Sequence, residues 1–200
     1  MNVILASQSP RRRELMELLH IPFSVRIADI DETMNPELAP YDEVARLSRE
    51  KAMAVPRQAE DVVIAADTVV VCGGKVLGKP ATKDRAVQML RLLSGRAHQV
   101  MTGLTVLRGE ESITGTEVTD VYFRALSEEE IAAYVRTGEP MDKAGAYGIQ
   151  GGGAIFAEKL VGDYYNVVGL PVCRLWQMLC QIAPELGETA TYTHISRRIV

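Results

Sequence analysis

Apolar residues follow three rhythms along this chain, and each predicts a different kind of element. Near-continuous apolar runs occupy residues 3–6 and 61–72. The second, DVVIAADTVVVC, predicts a central strand covered on both faces. Gly73-Gly74 then predicts a tight turn into a short returning strand at 75–77. Helical spacing appears at 10–20 (Leu15, Leu18 and Leu19 inward), at 41–54 (Val44, Leu47 and Ala54) and at 82–93 (Ala86, Met89, Leu90 and Leu93). Thr82 suits the start of the third helix and Gly95 lies just past its end. Period-two alternation at 100–108 and 111–122, around Gly109, predicts a hairpin.

The remaining elements follow from weaker signals. Strands are expected at 23–27, 154–160 and 164–168, and a helix at 171–182. Ser127, followed by three glutamates, predicts a capped helix ending near Thr137. Residues 28–40 read as an acidic loop, and 78–80 and 145–153 as Gly-containing loops. The last stretch, 187–200, has weak periodicity and is expected to be a mobile tail. Strands and helices mix without strict alternation. The expected fold is therefore α/β, a mixed sheet with flanking helices. It forms one domain over residues 1–186, with two lobes around a cleft.

Composition narrows the function. The 200 residues are 47% hydrophobic, enough for a core, and carry a net charge of −4. An acidic chain of pI about 5.5 offers no broad basic field for nucleic acid. No apolar run approaches the ~20 residues needed to span a membrane. No signal-peptide pattern opens the sequence, and cytoplasmic residence is expected. Cys72, Cys173 and Cys180 lack metal-ligand spacing and are expected to be buried free thiols. His20, His98 and His194 form no zinc pattern.

One local feature stands against this background. In ILASQSPRRRELM, a strand ends at Ser7 and a helix opens at Pro10 with Arg11, Arg12 and Arg13 in its first turn. A helix N-terminus carries partial positive charge and favours acids. Three arginines there fit a bound phosphate, held by hydroxyls, backbone N–H groups and guanidinium groups. The competing reading is a solvated arginine run. Asp67 places a carboxylate inside an apolar strand, where a partner or a chemical task is required. Metal ligation and general-base catalysis both fit it. Lys79 follows Gly78 and could add a phosphate contact. A phosphate-loop NTPase is disfavoured, because Gly74 lies four residues before Gly78 and Pro80 occupies the hydroxyl position. Glu32 and Asp31 read as a solvated acidic loop, and Lys51 as an ordinary lysine near a helix end.

Together, the segments ASQSPRR (7–12 within it), REKA (49–52), AADT (65–68), GKP (78–80), LSGRAHQV (93–100), EPMDKAGAYGIQG (139–151) and GDYYNVVGLP (162–171) resemble the Maf family of nucleoside triphosphate pyrophosphatases. The resemblance runs from about residue 2 to 183. It implies two lobes about a deep cleft, similar to inosine triphosphate pyrophosphatases. It also implies hydrolysis of a nucleotide between its α- and β-phosphates, with Mg2+ or Mn2+ as cofactor. By position, it implies that Ser7 and Arg12 bind phosphate and that Arg11 takes part in substrate selection. Lys51 and Lys79 would be phosphate-contacting catalytic lysines. Asp67 would be the proton acceptor, and Glu32 would join it at the metal. Thr68 and Gln150 would bear on base choice. The AYGIQG form resembles the branch acting on dTTP and UTP, with clearance of non-canonical or excess nucleotides as its expected role. Alternatives are a preference for CTP, 7-methyl-GTP or modified nucleotides, or a nucleotide-binding regulator of septum formation. A homodimer is compatible with the chain.

Overall fold

The computed structural model describes residues 1–186. Its centre is a seven-stranded mixed sheet: β1 (Val3–Leu5), β2 (Phe23–Val25), β3 (Val62–Cys72), β4 (Lys75–Leu77), β5 (Ala97–Arg108), β6 (Glu111–Phe123) and β7 (Ala157–Val161). The order is β2-β1-β3-β5-β6-β7, with β4 also paired to β3. β2, β1 and β3 are parallel. The pairs β3–β5, β5–β6 and β6–β7 are antiparallel. Six helices flank the sheet: α1 (Pro10–Glu17), α2 (Pro40–Ala54), α3 (Lys83–Leu93), α4 (Glu128–Arg136), α5 (Tyr164–Val168) and α6 (Val172–Ile182).

β3 organises the molecule. Along one edge it pairs with β5 without interruption from Val62 to Val71. Along the other edge β1 covers only Val62–Ile64, and β4 covers only Val70–Cys72. Residues 65–69 therefore have no strand beside them on that edge, and the sheet opens there. Alternation along β3 sends successive side chains to opposite faces. Val62, Ile64 and Ala66 pack with Leu15 and Met16 of α1 and Leu175 and Leu179 of α6. Val63 and Ala65 instead pack with Ala52 of α2, and Val69 and Val71 with Val44 of the same helix. Asp67 thus points to the α2 face, and Thr68 to the α1 face.

α2 sits unusually close to the sheet because of Gly103, the β5 residue opposite Asp67. A Cβ there would lie 2.0 Å from the Val44 carbonyl oxygen. The buried Ser48 Oγ adds a 2.8 Å hydrogen bond to Thr105 Oγ1 of β5.

Several expectations change. Residues 164–168 form a helix, not a strand. Asp163 Oδ1 accepts the Tyr165 N–H, and Gly169 closes the turn at φ +118°. This local capping prevails over the β-preference of Tyr and Val. Residues 152–156 form a 3-10 turn, and the strand expected from 154 starts only at Ala157. α1 stops at Glu17 rather than at 20, leaving Leu18 exposed, and His20 takes a left-handed φ of 53°. On α2, Ala54 is exposed and Ala52 is buried instead. Cys72 is buried as expected, but Cys173 is exposed and Cys180 half-buried. The expected tail at 187–200 lies outside the described residues. Among those described, no helix is long and apolar enough to cross a membrane.

Candidate active site

The opening beside residues 65–69 leads into a cleft of about 630 Å3. It is lined by residues from the turn after β1, α1, the acidic loop, α2, β3, the loop after β4, the 142–147 segment and the end of α5.

On the α2 side, Lys51 reaches the floor. It is buried, and its Nζ lies 2.6 Å from Asp67 Oδ1 and 2.8 Å from Glu32 Oε2. One ammonium therefore joins a nearly buried carboxylate to a largely exposed one. Asp67 Oδ2 has no hydrogen-bond partner among the described residues. Glu32 belongs to the acidic loop, which is tied down by the fully buried Glu43. Glu43 accepts the Asn35 N–H at 2.8 Å and two Arg46 N–H groups at 2.9 and 2.6 Å. Arg46 also donates to the Thr33 carbonyl. These hydrogen bonds hold the Glu43 carboxyl below the usual glutamate range, against the opposing effect of burial.

On the α1 side, Ser9 caps the helix by accepting the Arg12 N–H, Pro10 occupies its first turn, and no acid is present there. The three arginines have separate destinations. Arg13 pairs with Glu17 at the surface. Arg11 reaches Asp142 at 3.3 Å. Arg12 turns inward, with Nε donating to the Gly169 carbonyl at 2.8 Å, Nη1 to Ser7 Oγ at 3.3 Å and Nη2 to Thr68 Oγ1 at 3.0 Å. Burial lowers its pKa, while Asp67 and Glu32 act in the opposite direction. Arginine remains a cation at neutral pH. Lys79 is exposed at the rim and makes no ion pair among the described residues.

Ser7, Arg11, Arg12, Glu32, Lys51, Asp67, Thr68 and Lys79 all line this cleft. Gln150 does not: it is exposed in the turn ahead of Gly152–Phe156. The family described as Maf-like protein matches residues 2–182. The chain belongs to the Maf family. A Bacillus cereus (strain G9842) relative named dTTP/UTP pyrophosphatase is 48% identical over 180 residues, covering 90% of this chain and 94% of its own. One of the same name from Bacillus cytotoxicus is 49% identical over 179 residues, covering 89% and 94%. A solved HAM1 protein structure from Coxiella burnetii aligns at 17% identity with a TM-score of 0.49, covering 90% of this chain and 99% of that one.

The Maf chain also brings in residues that motif reading left without a role. Asp142 and Lys143 line the cleft. Lys143 Nζ lies 2.7 Å from Asp142 Oδ1 and 2.6 Å from the Glu139 carbonyl oxygen. Tyr147 also lines the cleft and shares a 2.9 Å hydrogen bond with buried His98. The segment EPMDKAGAYGIQG contained Asp142, Lys143 and Tyr147, but only the Arg11 contact and the His98 contact give the first and last a place.

Proposed function

We propose that this chain is a nucleoside triphosphate pyrophosphatase that hydrolyses dTTP and UTP to the nucleoside monophosphate and pyrophosphate. One observation carries the reading. Two carboxylates and a buried ammonium share a cleft with an arginine-bearing helix N-terminus. The names of the 48–49% identical relatives support the choice of substrate.

Arg12, Lys79 and the α1 N-terminus would neutralise the triphosphate, the electrostatic stabilisation on which phosphoryl transfer depends. Asp67 would take a proton from the attacking water through its unpartnered oxygen. Lys51 would hold that carboxylate in place. The bridging oxygen between the α- and β-phosphates would leave with one of the two products.

The donor set fits a hard divalent cation. Glu32 and Asp67 offer carboxylate oxygens that converge on one nitrogen. Among the described residues, no group of three or more His, Cys, Asp or Glu could hold a metal alone. Mg2+ or Mn2+ would therefore rely on these two carboxylates together with phosphate oxygens and water, a common arrangement for Mg2+. Once bound, it would supply further neutralisation of phosphate charge. We place the protein in the cytoplasm, where three free thiols are chemically at home.

Base choice rests on Gln150 and Thr68. A glutamine amide complements the O4 and N3–H edge shared by thymine and uracil. For Gln150 to read that edge, its turn must close over the bound base. Gln150→Ala should then lower the kcat/KM ratio of UTP over CTP. An unchanged ratio removes Gln150 from base reading.

A panel of triphosphates assayed with Mg2+ and Mn2+, with products identified, tests the whole reading. Monophosphate plus pyrophosphate from dTTP and UTP is expected. Diphosphate plus phosphate, or turnover confined to other nucleotides, overturns it.

A further inference from the structure

We infer that Thr102 and Asn166, which lie beneath the cleft floor, are positioning residues for Arg12, acting through a closed ring of hydrogen bonds. The inference rests on the reading of Arg12 as a phosphate ligand. Thr102 and Asn166 are fully buried. Neither lines the cleft.

The direction of each hydrogen bond can be worked out from the donor inventory. Thr102 Oγ1 donates to the Asn166 carbonyl oxygen at 3.2 Å. A hydroxyl has one proton, so Thr102 can only accept in its 2.9 Å contact with Thr68 Oγ1. Thr68 must then donate to Thr102, and it accepts the 3.0 Å hydrogen bond from Arg12 Nη2. The Asn166 carbonyl also accepts the Gly169 N–H at 3.0 Å. The Gly169 carbonyl in turn accepts Arg12 Nε–H at 2.8 Å. The path leaves the guanidinium through Nη2 and returns to it through Nε. Every hydroxyl proton in it has one destination, while the Gly169 N–H is shared with the Tyr165 carbonyl, also at 3.0 Å.

The Asn166 side chain fixes the far side of the ring. Its Nδ2 donates at 3.0 Å to the Val100 carbonyl and at 3.0 Å to Thr119 Oγ1. Thr119 spends its own proton on the Asp163 carbonyl at 2.9 Å. Asn166 Oδ1 is left buried without a partner. Turning the amide over would direct that oxygen at the Val100 carbonyl, so the buried vacancy on Oδ1 is the smaller cost. α5 is thereby locked to β5 and β6, and with it the Gly169 carbonyl that faces Arg12. Gly169 adopts φ +118°, which disfavours any side chain, and a Cβ there would sit in van der Waals contact with both ring members, 3.6 Å from Thr68 Oγ1 and 3.8 Å from Arg12 Nε.

The ring orients a planar fork. Arg12, held by the ring at Nε and Nη2 and by Ser7 at Nη1, presents its two remaining Nη–H groups in a fixed plane, which suits phosphate oxygens. Thr68 has no proton left for a ligand and offers only a lone pair.

The test compares Thr102→Val, which preserves shape but breaks the ring, with Thr102→Ser, which preserves the hydroxyl. Thr68→Val breaks the ring one step nearer the cleft and serves if Thr102→Val does not fold. The first readout is the 15N NMR signal of Arg12 Nε–H, assigned by its loss in Arg12→Lys. Its protection from solvent exchange should fall at least ~10-fold in the valine variants and persist in the serine variant. The second readout is dTTP kinetics. The valine variants should lose about tenfold in kcat/KM, mainly through KM, with recovery in the serine variant. In an Arg12→Ala background the valine substitution should add nothing, because both changes remove one interaction. Unchanged Arg12 protection, or a kinetic loss that adds fully to that of Arg12→Ala, overturns the inference. Wild-type protein that turns over no triphosphate, yet shows the NMR response, overturns the proposed activity and upholds the ring.

Discussion

Lys51 Nζ lies 2.6 Å from Asp67 Oδ1, although one residue belongs to a helix and the other to the central strand. The contact places the Lys51 amine on one oxygen of the carboxylate and leaves the other open to the cleft. Asp67→Asn keeps the size and the Lys51 contact but removes the base. A fall of about 100-fold or more in kcat for dTTP is expected. Near-normal turnover by this variant would exclude Asp67 as the proton acceptor.

Glu43 anchors the loop that carries Glu32. Its substitution by Gln keeps an acceptor for Asn35 but discards the ionic hold on Arg46. The loss of a buried charged hydrogen bond should cost about 2 kcal/mol in urea unfolding. Faster limited proteolysis within residues 28–39 and a drop of about tenfold in kcat/KM should accompany it. A proteolysis pattern identical to wild type would show that the loop is held by other contacts.

Gly103 sets how close α2 comes to the sheet. In Gly103→Ala the new methyl meets backbone atoms of Val44 and Ala45, which no rotamer change can relieve. Overpacking of this kind costs about 1–3 kcal/mol, and the helix must retreat with Lys51 on it. Both the unfolding midpoint and kcat should fall. A variant with full stability and full turnover would mean that the helix position does not govern the Lys51–Asp67 contact.

His98 introduces a pH dependence of its own. It is buried, its Nε2 pairs with Tyr147, and its Nδ1 has no partner. Burial pushes its pKa down to about 4 from 6.5. The folded state therefore binds its proton less readily than the unfolded chain. The associated stability is full above about pH 6.5 and is lost as pH falls toward 4. Between pH 7 and pH 5 the loss amounts to about 2 kcal/mol. Urea midpoints at these two pH values should differ accordingly in the wild type, and the difference should shrink in His98→Gln. Equal differences in both proteins would assign the effect to other groups.

The sequence made some of this legible and hid the rest for identifiable reasons. β3 announced itself because a strand buried on both faces has no polar alternation. α4 did so because its capping box is local: Ser127 accepts the Glu130 N–H while Glu130 accepts that of Ser127. Arg11–Arg13 stood out because they break a local electrostatic preference, and two of them, Arg11 and Arg12, line the cleft. Lys51 was different. A lysine near a helix end looks ordinary, and its importance comes from a strand sixteen residues onward. Asn166 was hidden for the same reason, since its partners Val100 and Thr119 are remote in sequence. Residues 164–168 misled because aromatic and β-branched residues suggest a strand, whereas one aspartate cap and one left-handed glycine are enough to wind a short helix.

The unpaired stretch of β3 has a consequence for association as well. A bare strand edge ordinarily invites a strand from another molecule to add to it. Here the bare portion is bounded by β1 and β4 and overlooked by the cations Arg12 and Lys79. An incoming strand would have to displace one of those neighbours and bring its backbone past two positive charges. A small anion has no such difficulty. The interruption in the sheet thus suits a small ligand better than a polymer, and its geometry works against edge-to-edge association.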